Sequence, residues 1–406
     1  MVWEPKNRKR KMAVSQKIEG FITQASWIRK MFEDGIRLKQ KCGAENVFDF
    51  TLGNPDIEPP PRFQEILREI VSDPSPGKHV YMPNAGYPRT RRAVAEYLSS
   101  IQGVPLGEGD IVMTAGAGGA LNVILKTLLD PGDEVVIPTP FFVEYRFYVD
   151  NHGGTVRLVP ARDDFSLDMQ GMENAVTERT KAVLINSPNN PTGNVYSEKE
   201  IRGLASILER KGRDYGRDIY LISDEPYRDI VYDGAIVPSI MAAYSNSIIA
   251  TSYSKNLSVP GERIGYIAAH PGMSGLAKIM EGLVLCNRIL GFVNAPAIMQ
   301  RVVERMQGET VDPGLYRKRR DLLCEGLSSA GYSFKKPGGA FYLFPKTPIA
   351  DDVAFVRALQ EKNILTVPGS GFGGPGHFRI AYCVEEKTIT GAMKGFREVM
   401  DRFRQG

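Results

Sequence analysis

Residues 182–227 read AVLINSPNNPTGNVYSEKEIRGLASILERKGRDYGRDIYLISDEPY, and this stretch decides the architecture. The apolar run Ala182 to Ile185, closed by Asn186, has the composition of a strand buried on both faces. A polar, proline-rich turn follows from Ser187 to Gly193. Ser197 then opens a helix, and Glu200 three residues on completes a capping box. Ile201, Leu204, Ala205 and Leu208 lie at offsets of three, four and seven and mark the buried face of that helix. A second apolar run, Ile219–Ser223, ends at Asp224. Strand, helix and strand in this order make a crossover unit of a mostly parallel sheet covered on both faces.

The same alternation extends in both directions. Candidate strands Ile111–Thr114, Glu134–Ile137 and Thr155–Val159 precede the unit; Ile248–Ser252 and Ile264–Ala269 follow it. The fold class is therefore α/β. Beyond about residue 300 the pattern changes to a charged helical stretch (Tyr316 to Ala330), the run Gly338 to Phe344, a helix from Asp351 to Lys362, a glycine-rich turn and the strand Phe378–Tyr382. These predict a smaller α+β domain. The expected division is an N-terminal arm and helix over 1–48, a large domain over 49–295 and a small domain over 296–406. The helical, partly apolar segment from Met12 to Phe48 is expected to pack on the small domain or on a partner subunit.

Lys plus Arg number 51 and Asp plus Glu 47, a net charge of +4, which argues against a dedicated nucleic-acid binder. With 42% hydrophobic and 24% charged residues, the 406-residue chain can bury a sizeable core and is not disordered overall. The four cysteines are far apart and form no Cys-x-x-Cys, so a reducing compartment is expected. The four histidines form no paired ligand motif, and no metal is expected. The basic run Lys6 to Lys11 reads as a solvated arm, no secretory signal is seen, and the uncharged run Gly234 to Ser254 is too polar to span a bilayer. A soluble, cytoplasmic protein is expected.

Ligands of such sheets bind outside the carboxyl ends of the strands, so the residues that follow each strand carry the chemistry. Ala115 to Leu121, with three glycines, follows the first candidate strand; a glycine-rich strand-to-helix turn offers backbone N–H groups to a phosphate. Asn190-Pro191-Thr192-Gly193, Asp224-Glu225-Pro226-Tyr227, Lys255 and Arg263 fall at the same rim. Singly, each has a plain structural explanation: a turn, a helix cap, a surface lysine. Their joint occurrence in this order does not.

The stretch Ser252-Tyr253-Ser254-Lys255-Asn256-Leu257-Ser258-Val259-Pro260-Gly261-Glu262-Arg263-Ile264-Gly265 resembles the pyridoxal-phosphate attachment signature of class I aminotransferases at every constrained position. Asn190 to Gly193 and Asp224 to Tyr227 match the family's other two landmarks, and the resemblance runs from about Phe50 to the end of the chain. It implies an aspartate aminotransferase-like protein of fold type I: a large domain with a seven-stranded, mostly parallel sheet, a small α+β domain, and a homodimer with shared sites. It also implies residue roles. Lys255 would hold pyridoxal 5′-phosphate as a Schiff base and later shuttle the proton between Cα and C4′. Asp224 would pair with the pyridinium nitrogen, and Asn190 and Tyr227 with the phenolic oxygen. Ala117, Gly118, Ser252 and Arg263 would meet the phosphate, Phe142 would stack on the ring, and Tyr81 would reach the neighbouring subunit's phosphate. Gly53 would lie against substrate, and Arg379 would clamp its α-carboxylate. Arg288 lies near the position of an arginine that dicarboxylate-preferring relatives donate across the dimer, which would favour aspartate or glutamate. Asn189 is expected to be a turn residue.

Rival motifs are weaker. Gly369 to Gly374 satisfies Gly-x-Gly-x-x-Gly, but a strand and not a helix is expected after it. Ser252 to Lys255 satisfies Ser-x-x-Lys without the companion motifs of penicillin-recognising hydrolases. An aminotransferase-like regulator would need a winged helix, for which no room is seen before the matching region. Amino transfer from an L-amino acid to a 2-oxoacid is the expected reaction, and β-elimination at a C–S bond the alternative.

Overall fold

The computed structural model describes residues 13–404; the basic run Lys6 to Lys11 lies outside the described residues. Seven strands build the central sheet: β1 (Ile111–Thr114), β2 (Glu134–Thr139), β3 (Thr155–Pro160), β4 (Thr180–Asn186), β5 (Tyr220–Asp224), β6 (Ser247–Ser252) and β7 (Gly265–Ala269). Their order is β1-β7-β6-β5-β4-β2-β3, and β7 alone runs antiparallel to its neighbours. The helix Glu198–Tyr215 carries the expected capping box, in which the Ser197 N–H donates to Glu200 Oε2 at 2.7 Å and the Glu200 N–H donates to Ser197 Oγ at 3.3 Å.

Alternate strand residues feed opposite cores. Met113, Val183, Ile185 and Leu221 pack with helices Pro61–Ser72, Pro88–Gln102 and Glu198–Tyr215 on one face. Val112, Leu184, Ile222 and Ile267 pack with helices Gly116–Leu128 and Leu276–Ile289 on the other. Burial on both faces is why these strands are continuously apolar. Met299, Val302 and Val303 of the helix Ala297–Glu304 join the first core. Packing therefore places this helix with the sheet unit, past the division expected at residues 295 and 296.

A second core gathers around Phe50, Phe341, Phe355, Phe378 and Phe396, beneath helices Pro313–Ser329, Asp352–Gln360 and Glu386–Arg404. A three-stranded antiparallel sheet, Val367–Pro368 with Phe378–Ala381 and Tyr342–Leu343, lies beside it, and Phe48–Asp49 pairs parallel with Ile364–Leu365. The N-terminal helix Gln16–Cys42 touches both units: Lys17 pairs with Asp150, Phe21 meets Phe147 edge-on at 4.8 Å, and Lys39 pairs with Asp49 at 2.6 Å. Among the described residues no helix is long and apolar enough to cross a membrane.

The reversed strand explains how one rim collects so much polarity. β1, β5 and β6 end there, whereas β7 begins there, so Arg263 just before β7 arrives level with Ser252 and Thr114, which are both in register with Gly265. A Cβ at Gly265 would run into the Thr251 carbonyl and come within 2.9 Å of the Gly116 backbone. Gly265→Ala is expected to destabilise the fold by about 1–3 kcal/mol through overpacking, whereas Gly261→Ala, with open space around it, should be near neutral. Urea denaturation of both variants checks this.

Candidate active site

Above that rim lies a cavity of about 370 Å³. Lys255, Asp224, Tyr227, Asn190, Ala117, Gly118, Phe142, Ser252, Arg263, Gly53 and Arg379 all line it, although they come from both units of the fold. Two expected residues are elsewhere. Tyr81 is 87% exposed and Arg288 sits exposed in the last turn of the helix Leu276–Ile289; neither lines this cavity. Asn189 is the turn residue expected: its Oδ1 accepts from the Thr192 N–H at 3.1 Å and the Thr192 hydroxyl at 2.8 Å. Residues Gly369–Phe372 form a single 3₁₀ turn leading to a strand, without the helix that a dinucleotide motif requires.

Lys255 lies in the turn after β6, and its Nζ donates to the Gly53 carbonyl at 2.7 Å. Burial pushes its amine down to about 8; Arg263 and Arg379 push the same way and Cys383 opposes them. Gly53 has no room for a side chain, since a Cβ there would run into the Tyr342 hydroxyl. Asp224 ends β5 in the interior. Its Oδ2 accepts from the Tyr145 hydroxyl at 2.6 Å, while the buried Oδ1 has no partner. Burial raises this carboxyl from 3.8 to about 7, against the opposing pull of the Tyr145 hydrogen bond. An unanswered buried oxygen of this kind is where a ligand's donor belongs.

The Asn190 N–H donates to Asn186 Oδ1 at 2.7 Å, and Asn186 Nδ2 to the Asp224 carbonyl at 2.8 Å, so β4 and β5 are locked together at the rim. Asn190 Oδ1 accepts from Arg379 Nη1 at 3.1 Å, and Arg379 Nη2 donates to the Thr51 carbonyl. The guanidinium lies 4.9 Å from the Tyr342 ring and 4.7 Å from the Phe372 ring, and its Nε is buried without a partner. Tyr227 and Tyr342 share a hydrogen bond at 2.9 Å between their hydroxyls.

The glycine-rich segment after β1 is not a loop: the helix begins at Gly116, so Ala117 and Gly118 lie in its first turn, where backbone N–H groups have no carbonyl partners within the helix. Gly116 has φ +73°, and a Cβ there would come within 2.8 Å of Arg263 Nη2. The first turn of this helix, the arginine and the hydroxyl of Ser252, which bonds Ser254 at 3.0 Å, form one cationic, donor-rich end of the cavity.

Sequence reasoning missed Tyr145, Tyr342, Thr51, Asn186, Ser254, Tyr148 and Glu144. Tyr145 left a local signal, standing three residues after Phe142, with the two rings edge-on at 5.5 Å. Glu144, Ser254, Thr51 and Asn186 stand within four residues of expected site residues, whereas Tyr342 meets the site through tertiary packing.

The family model described as aminotransferase class I and II matches residues 45–396. An aspartate/prephenate aminotransferase of Thermus thermophilus is 33% identical over 361 residues, spanning 87% of this chain and 90% of its own. A probable aspartate aminotransferase of Methanocaldococcus jannaschii is 31% identical over 363 residues, spanning 86% and 92%. The crystal structure of an amino transferase from Eubacterium rectale superposes with a TM-score of 0.93 at 38% identity, covering 97% of this chain and 99% of that one. Aspartate aminotransferase from Thermus thermophilus with maleate gives 0.82 at 29%, covering 95% and 99%. With the seven-stranded sheet and a cavity lined by Lys255, Asp224 and Arg263, these likenesses establish that the chain belongs to the class I and II aminotransferases, as a pyridoxal-phosphate-dependent aminotransferase of fold type I.

Proposed function

We propose that this aminotransferase carries the amino group of an L-amino acid to a 2-oxoacid in two ping-pong halves within the rim cavity, working as a cytoplasmic homodimer with an arm up to about residue 48, a large unit that takes in the helix Ala297–Glu304, and a small unit after it. The observation that carries the reading is the unpartnered Oδ1 of Asp224 in the same cavity as the desolvated amine of Lys255. The residues present fit pyridoxal phosphate: a carboxylate for a ring nitrogen, an aromatic face in Phe142, and free helix N–H groups beside Arg263 for a phosphate. When bound, the cofactor supplies an electron sink for negative charge at the substrate's Cα.

This chain's residues divide the remaining work. Asp224 would keep a proton on the ring nitrogen, and Tyr145 holds the carboxylate in place by occupying its other oxygen. Asn190 and Tyr227 hydrogen-bond the phenolic oxygen. Ala117, Gly118, Ser252 and Arg263 bind the phosphate. Arg379, fixed by Asn190 and the Thr51 carbonyl, pairs with the α-carboxylate and so sets which Cα bond faces Lys255. Lys255, whose amine burial pushes down to about 8, would hold the cofactor and, in its neutral form, would move the proton at Cα. Gly53 lets the backbone approach substrate closely. Tyr81 and Arg288 act from a second copy: Tyr81 on the phosphate, and Arg288 on the distal carboxylate of glutamate or aspartate.

Adding amino acids to the holoenzyme should convert the visible absorbance to that of the cofactor's amino form, and 2-oxoglutarate should restore it. Release of ammonia and pyruvate without that conversion would instead indicate an elimination enzyme. Attachment of added cofactor to the cofactor-free protein should quicken with pH around a midpoint near 8, and Lys255→Ala should abolish it. Asp224 binds a proton in the folded state that the unfolded chain releases, so the cofactor-free protein should lose stability from this group as pH climbs from about 4 towards 7. Asp224→Asn should flatten that slope in thermal melts and lower amino-transfer turnover by at least about tenfold. Arg288→Leu should lower kcat/KM for glutamate and aspartate but spare alanine; an equal loss on all three removes the cross-subunit role.

A further inference from the structure

Two carboxylates line the cavity, and the amino-transfer reading uses only one. The other is Glu144, two residues after the stacking aromatic Phe142 and the first residue of the helix Glu144–Asn151. Its own backbone N–H donates to the carboxylate, but Oε2 is buried with no hydrogen-bond partner. The cations that line the cavity are Lys255, Arg263 and Arg379. Each already has a task at the cofactor or the α-carboxylate, and none is hydrogen-bonded to Glu144. Burial holds the Glu144 carboxyl above its ordinary range, while Arg379 pulls it back without reaching it.

A half-buried carboxylate with an idle oxygen, beside the arginine that clamps the substrate, is a group held ready for a donor on that substrate. We propose that Glu144 determines specificity in one half-reaction, by receiving the distal ammonium, or another hydrogen-bond donor, of a basic amino acid whose α-carboxylate lies on Arg379. The inference rests on the amino-transfer reading and deepens it. A ping-pong enzyme must take two different side chains in turn at one site. Glu144 answers a basic donor in one half, as Arg288 of a second copy answers an acidic one in the other. Neither charge suits the other's substrate, since a distal carboxylate gains nothing from Glu144.

The test uses the holoenzyme and three donors, L-ornithine, L-alanine and L-glutamate, each followed as a single half-reaction by the change in cofactor absorbance. Glu144→Gln keeps the shape and removes the charge. It should lower kcat/KM for ornithine at least tenfold, mainly through KM, leave alanine within twofold and not impair glutamate; Glu144→Asp should recover part of the ornithine rate. Binding of α-methylornithine, which has no α-proton to lose, should weaken at least tenfold in a spectral titration. An equal loss on all three donors, weakened cofactor binding, or unchanged α-methylornithine binding overturns the assignment. If the wild-type holoenzyme converts none of the donors, the amino-transfer reading itself falls, while the α-methylornithine titration still decides the role of Glu144.

Discussion

Placing a carboxylate at the buried end of a central strand is unfavourable unless something charged or hydrogen-bonding answers it, and Asp224 is only half answered. Tyr145 satisfies one oxygen. The other stands idle at a cavity that Lys255, Arg263 and Arg379 also line. A protein built this way is electrostatically incomplete alone: three cations line the cavity, and its buried carboxylate, pushed up to about 7 by burial, lacks a cationic partner among the described residues. A ligand carrying a phosphate at one end and a protonated ring nitrogen at the other complements both. The arrangement explains why cofactor, sheet and catalysis are inseparable in this fold.

The sheet earns this geometry through its one reversed strand. Parallel strands bring their carboxyl ends to a common rim, and reversal of β7 lets the turn before it deliver Arg263 to the same place as Ser252 and the first turn of the helix Gly116–Leu128. Gly265 and Gly116 allow the close backbone approach that this needs. The second unit contributes Arg379 on a strand of its small sheet and Tyr342 on another, so in the proposed roles it would grip the substrate while the first unit holds the cofactor.

Much of this was legible in the sequence. Strand runs such as 111–114 and 182–186 were visible because burial on both faces removes every polar residue, and ends differ by only one or two residues because polar caps mark them. The residues that follow the strands were visible because topology fixes where they point. Less legible was whatever packing decides. Tyr342 meets the site across a long sequence separation; Glu144 and Thr51 stand two residues from Phe142 and Gly53, but no pattern announces that their groups face the cavity. The helix Ala297–Glu304 looked like the start of the second unit because the pattern changes near residue 300, but its apolar stripe enters the first core.

The claim beneath all of this is covalent: the amine that donates to the Gly53 carbonyl is the one that takes the cofactor. Borohydride reduction of the holoenzyme, followed by digestion and mass mapping, tests it most directly. The account predicts one reduced pyridoxyl group, on the peptide that contains Lys255. A label on a different lysine, or a protein that acquires no chromophore to reduce, would contradict it.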